Sequence, residues 1–91
     1  MTQQDRDTAV WWLRKLIDKL KDAEWEWFDG GANADTDQDI RVFSQHIGRL
    51  PGGEEVANQA WSCGAYYSTL MDYCAARDAA ERLLQDLLLQ E

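Results

Sequence analysis

The side chains best suited to covalent or acid–base chemistry are few. They are one histidine, His46, two cysteines, Cys63 and Cys74, and Ser62 in the run Trp61-Ser62-Cys63-Gly64. Nucleophilic catalysis needs a thiol or hydroxyl with a base beside it and a third group to orient the base. With a single histidine, any such site has to be built on His46, and no spacing brings Ser62 or Cys63 to it. His46 also lacks a glutamate three or four residues away or a cysteine partner, the pairings a helical metal site uses. It is expected to lie half-buried beside the apolar face of its helix, bonded to a carbonyl or carboxylate. The Trp61–Gly64 run holds one cysteine, so it is not a redox pair. Gly30-Gly31 and Gly52-Gly53 lack the lysine and the preceding strand of a phosphate-binding loop. The sequence therefore predicts a protein that is not an enzyme, with no catalytic residue, metal or cofactor.

The alternating carboxylates Asp35, Asp37 and Asp39 invite comparison with a calcium loop. A twelve-residue calcium loop needs glycine at its sixth position and a bidentate glutamate at its twelfth. Counting from Asp35, those positions hold Ile40 and His46. Helix initiation accounts for the same residues, with Thr36 or Asp35 as N-cap and Asp39 reaching back toward the first turn.

Binding chemistry is better represented. The chain has five tryptophans in 91 residues and a formal charge of −8. Residues 1–21 hold five cations against three carboxylates, a balance of +2, and residues 22–91 hold four against fourteen, a balance of −10. A mildly basic first segment thus precedes a strongly acidic remainder, which disfavours direct nucleic-acid binding over most of the surface. Trp11 and Trp25 project from the polar side of the first segment, among Arg14, Lys15, Lys21, Asp18 and Asp22. Two readings stand for them: rings lying over lysine stems, or anchors of an interface, since tryptophan is enriched in binding hot spots.

These residues must be positioned by helices. Ala9, Leu13, Leu16, Leu20, Ala23 and Trp27 recur at helical spacing, widened by Val10, Trp12 and Ile17, and predict a helix over about 6–27. Asp5 and Asp7 favour its start, and Gly30-Gly31 ends it. Ile40, Phe43, Ile47 and Leu50 predict a second helix over about 37–50, stopped by Pro51-Gly52-Gly53. A third runs over about 54–90 with two apolar faces. Val56, Ala60, Cys63, Tyr67, Leu70 and Cys74 make the first. Tyr73, Ala76, Ala80, Leu83, Leu84 and Leu87 make the second, rotated by roughly 130° at about 100° per residue. Arg77, Asp78 and Glu81 occupy the positions where the first face would continue.

Either this segment breaks, near Gly64 or around Asp72 to Ala76, and folds back, or it continues and its second face needs cover. A continuous helix here would exceed about 50 Å at about 1.5 Å per residue, beyond what a compact chain of this length spans. A second copy of the chain is then the economical cover, with Tyr73, Ala80, Leu83, Leu84 and Leu87 at the dimer interface. On one continuous helix Cys63 and Cys74 lie about 16 Å apart, out of disulfide reach, and read as small buried hydrophobes.

The expected fold is therefore all-α, one domain spanning 1–91: a small bundle of three helices, or four if the last breaks, with a long C-terminal helix that dimerises. No secretory leader or membrane-length apolar run is evident, so a cytoplasmic protein is expected.

For function, the sequence favours a small acidic protein that works by occupying the surface of a partner protein. Trp11, Trp25, Asp35, Asp37, Asp39, Asp78 and Glu81 are the candidate contact residues. One version is nucleic-acid mimicry, with carboxylates competing for the basic groove of a nucleic-acid-binding complex. In size and charge the chain is similar to small phage-encoded anti-defence inhibitors of the anti-CRISPR and anti-restriction kinds. That likeness is one of bulk properties and carries no motif. Two alternatives remain: a homodimeric helical scaffold or adaptor, and a bundle that sequesters a nucleotide between aromatic rings with Arg14 and Lys15 on its phosphates.

Overall fold

The computed structural model describes residues 2–30, 34–63 and 70–89. Four helices follow in order, α1 Gln3–Phe28, α2 Ala34–Gly48, α3 Glu54–Ser62 and α4 Leu70–Leu88, and no strand occurs among the described residues. Each packs on two neighbours, α1 on α2 and α4, and α3 on α2 and α4, so the helices close a ring around one apolar core.

Helix α1 is the spine. Its 26 residues at about 1.5 Å each give about 39 Å, matching the 41 Å long axis of the molecule. It begins earlier than the acidic residues suggest, because the Thr2 side chain caps it, accepting from the Asp5 backbone N–H at 3.1 Å. The predicted face is buried: Ala9, Leu13, Leu16, Ile17, Leu20 and Ala23. It packs most extensively on α4, whose Ala76 and Ala80 are fully buried.

Helix α2 starts at Ala34, three residues ahead of the predicted boundary, which corrects the capping assignment. Thr36 lies inside the first turn, is 6% exposed, and donates its hydroxyl to Glu26 at 2.9 Å. Asp39 pairs with Lys19 across the α1–α2 seam at 3.2 Å instead of reaching back along its own helix. Between α2 and α3 the chain turns through Gly52, at φ 76°, and Gly53, where a β-carbon would run into the Ile47 carbonyl. Glycine is needed at the first for conformation and at the second for space.

The expected long C-terminal helix is two helices. α3 stops at Ser62, and Cys63 has an extended backbone with ψ 146°, so the break falls just ahead of Gly64; Asp72 to Ala76 lies within α4. Gly64 and Tyr67 lie outside the described residues, as does Gly31. The break lets both apolar faces meet the same core: Val56, Ala60 and Cys63 from one, Tyr73, Ala76, Ala80 and Leu87 from the other. The proposed dimer interface is corrected accordingly. Tyr73 and Ala80 are fully buried, Leu87 is nearly so, and Leu83 and Leu84 pack against the same core within a single chain. The reason for requiring a second copy disappears with the long helix. No described helix is long and apolar enough to cross a membrane.

Candidate functional site

The last turns of α1 and α3 meet the first turns of α2 and α4 at one end of the bundle. Polar contacts that join different helices gather there. Thr36 of α2 donates to Glu26 of α1. The Tyr73 hydroxyl of α4 donates to Asp37 of α2 at 2.8 Å, although those two helices do not pack directly, so this bond crosses the interior of the bundle. Burial, then the bond to Asp37, raises the Tyr73 pKa above its ordinary value. The Cys63 thiol donates to the Asp72 carbonyl at 3.4 Å; burial, followed by the charges of Asp72 and Asp37, pushes it up to about 12.

On the α1–α4 seam Glu24 accepts from Cys74 at 2.7 Å and pairs with Arg77 at 2.9 Å. Arg77 also pairs with Glu81, one turn along α4, at 3.4 Å. The bond to Glu24 raises the Cys74 pKa more than burial does, and the same carboxylate raises that of Arg77. Both thiols are free and are held protonated, unlike the thiolates that serve as nucleophiles. Among the described residues no group of three His, Cys, Asp or Glu side chains is placed to hold a metal.

On the outside of this end stand Trp25, 76% exposed, and Phe28, 75% exposed, three residues apart on one face of α1. They form a ridge between two open clefts. One, of about 340 Å³, is bounded by Lys21, Glu24, Trp25, Phe28 and Arg77. The other, of about 500 Å³, is bounded by Trp25, Glu26, Phe28 and Asp29. Met71, at the start of α4, is equally exposed. One flank of the ridge carries two cations and one carboxylate, the other carboxylates alone. The chain matches no family model, no curated protein and no solved structure.

The residues predicted to touch a partner divide into four groups. Trp25 is free on the surface. Trp11 is half-exposed but engaged, with its ring edge-on to Trp12 at 4.7 Å and the Lys15 ammonium 5.4 Å from its centroid, the lysine-stem arrangement. Asp37, Asp39 and Glu81 are committed to Tyr73, Lys19 and Arg77, while Asp35 and Asp78 are exposed. His46 stacks flat on Trp12 at 3.9 Å and 7°, which replaces the expected bond to a carbonyl or carboxylate as its main contact.

Phe28, Glu26 and Asp29 escaped the sequence reading. Phe28 had a signal: it lies one turn beyond Trp25 on the same polar side of α1. Glu26 and Asp29 had none, because their place beside the ridge follows from where α1 ends.

Proposed function

We propose that the chain acts by binding a protein partner and blocking the surface it covers, with the Trp25–Phe28 ridge as its anchor. The observation that carries this is the contrast among the aromatics. Trp12, Trp27 and Phe43 pack against the core, and Trp11 and Trp61 lie under the cations of Lys15 and Arg41. Trp25 and Phe28 are three-quarters exposed, side by side, between two clefts. Large aromatic rings left in water next to one another carry a free-energy cost that docking recovers, and such rings dominate the energy of protein interfaces.

The acidic surface supports a role in steering and selecting a partner with a basic face. It supports nucleic-acid mimicry less, because Asp37, Asp39 and Glu81 are each already paired with a side chain of the same chain. A binding role also fits the stacked His46 and the two protonated thiols, none of which is set up as a base or nucleophile. An inhibitor of the anti-defence type is the version that size, charge and this exposed ridge support together.

The test is affinity capture from the native host with wild-type protein and with Trp25→Ala/Phe28→Ala. A protein held by the wild type and lost by the variant, with helical circular dichroism unchanged, is the expected result. Equal capture by both removes the ridge from the interface.

A further inference from the structure

We infer that the partner presents an arginine side chain, and that its guanidinium seats in the cleft bounded by Trp25, Glu26, Phe28 and Asp29. The inference rests on the ridge being the binding surface and adds the chemistry of what it receives. Four observations converge on a cation.

The first is the composition of the cleft: its described lining residues are two aromatic side chains and two carboxylates, with no cation among them. The cations near the ridge, Lys21 and Arg77, bound the opposite cleft, and Arg77 is already held by Glu24 and Glu81. The second is the pair of carboxylates. Glu26, held by Thr36 and with its Oε2 buried, supplies negative charge beside the cleft, and Asp29, exposed and with no described side-chain bond, is open to an incoming N–H group.

The third is the position of the cleft at the C-terminal end of a 26-residue helix whose last turn contains no basic residue. The carbonyl ends of a helix favour positive charge, and here no side chain of that turn supplies it. The fourth is Trp25 itself, exposed and without a described ring or cation contact, which leaves its π face open to a cation. A guanidinium suits this set better than an ammonium, because it stacks flat on an aromatic ring and forks two N–H groups onto a carboxylate at the same time.

The experiment titrates isotope-labelled full-length protein with a blocked peptide of four Gly-Arg repeats and with its Gly-Lys counterpart, following the tryptophan indole N–H resonances. The Trp25 signal, identified by its loss in Trp25→Ala, should move saturably, and the arginine peptide should bind more tightly. Trp25→Ala, and separately Glu26→Gln/Asp29→Asn, should weaken the arginine peptide about tenfold, in the range of a desolvated cation–π contact. Glu54→Gln/Asp86→Asn removes the same charge from exposed positions on α3 and α4 and should change binding by less than about twofold.

Equal weakening by the two charge variants would overturn the inference in favour of diffuse attraction. A stationary Trp25 signal would overturn it outright. Concentration-dependent dimerisation that Trp25→Ala abolishes would assign the cleft to a second copy of the chain. Should Glu26→Gln disturb the Thr36 bond and loosen the fold, Asp29→Asn and Phe28→Ala, which alter exposed side chains with no described bond, carry the same comparison. If capture of the natural partner needs the ridge but the arginine peptide is indifferent to it, the ridge stands as the interface and the guanidinium assignment falls.

Discussion

The two ends of the bundle are held together by different physics. At the end that carries the α2–α3 turn, contact is apolar: Ala9, Leu13, Ile47, Val56 and Leu87 are buried, Leu83 comes against the turn at Gly52, and Trp12 stacks on His46. At the other end the helices are tied by directional bonds, Tyr73 to Asp37, Thr36 to Glu26, Cys63 to Asp72, and Glu24 to Cys74 and Arg77. Apolar contact is gained by any close packing, whereas a buried hydrogen bond is gained only in one geometry and costs free energy when a partner is missing. Substitutions in the apolar contacts are accordingly expected to cost the most stability, and the directional bonds to set where the four helix termini sit. Fixing those termini holds α1 rigid up to its last turn, which is what a projecting pair of rings needs if it is to dock without first being ordered.

The comparison can be broken at several places, and the largest effect is expected in the aliphatic core. Leu16→Ala removes a fully buried side chain and should cost about 3–5 kcal/mol, read from the denaturant midpoint. That is a large share of the roughly 5–15 kcal/mol that holds a small domain together. Tyr73→Phe deletes one hydroxyl from the polar end and leaves Asp37 without that donor. It should cost about 1–3 kcal/mol by the same measurement, below the core substitution.

The polar end should also respond to alkali. The folded chain holds the Cys63 thiol neutral to about pH 12, against an ordinary value of 9.0. Unfolded chains lose that proton first as pH rises past about 9. The contribution of Cys63 is therefore complete below pH 9 and declines toward pH 12. Tyr73, raised above its ordinary 10.0, acts in the same direction. Unfolding free energy should fall across this window, and Cys63→Ala should flatten the slope while Cys74→Ala, at a half-buried position, flattens it less.

Much of this architecture was legible in the sequence, and the remainder fails for identifiable reasons. The burial of α1 follows from its apolar spacing, since a 26-residue helix with one broad stripe has one way to face a core. The two-faced character of residues 54–90 was also visible, together with a candidate break at Gly64. Periodicity says that a face is apolar but not what covers it, and here Tyr73, Ala80 and Leu87 are covered within the chain itself, where a second copy was expected to cover them. The start of α2 was misplaced because aspartate and threonine serve equally well as caps and as first-turn residues. At the candidate site, Trp25 was recognised and its setting was not. Tyr73 and Asp37 are 36 residues apart, and Arg77 and Glu24 are 53 apart. No local pattern records such pairs.

The most direct measurement is the unfolding free energy of Trp25→Ala/Phe28→Ala against wild type. Side chains this exposed, on a helix held by other residues, should be dispensable to the fold, so the two values should agree within about 0.5 kcal/mol. A loss of about 2 kcal/mol or more would show that the ridge is structural, and the account of it as a docking surface would be contradicted.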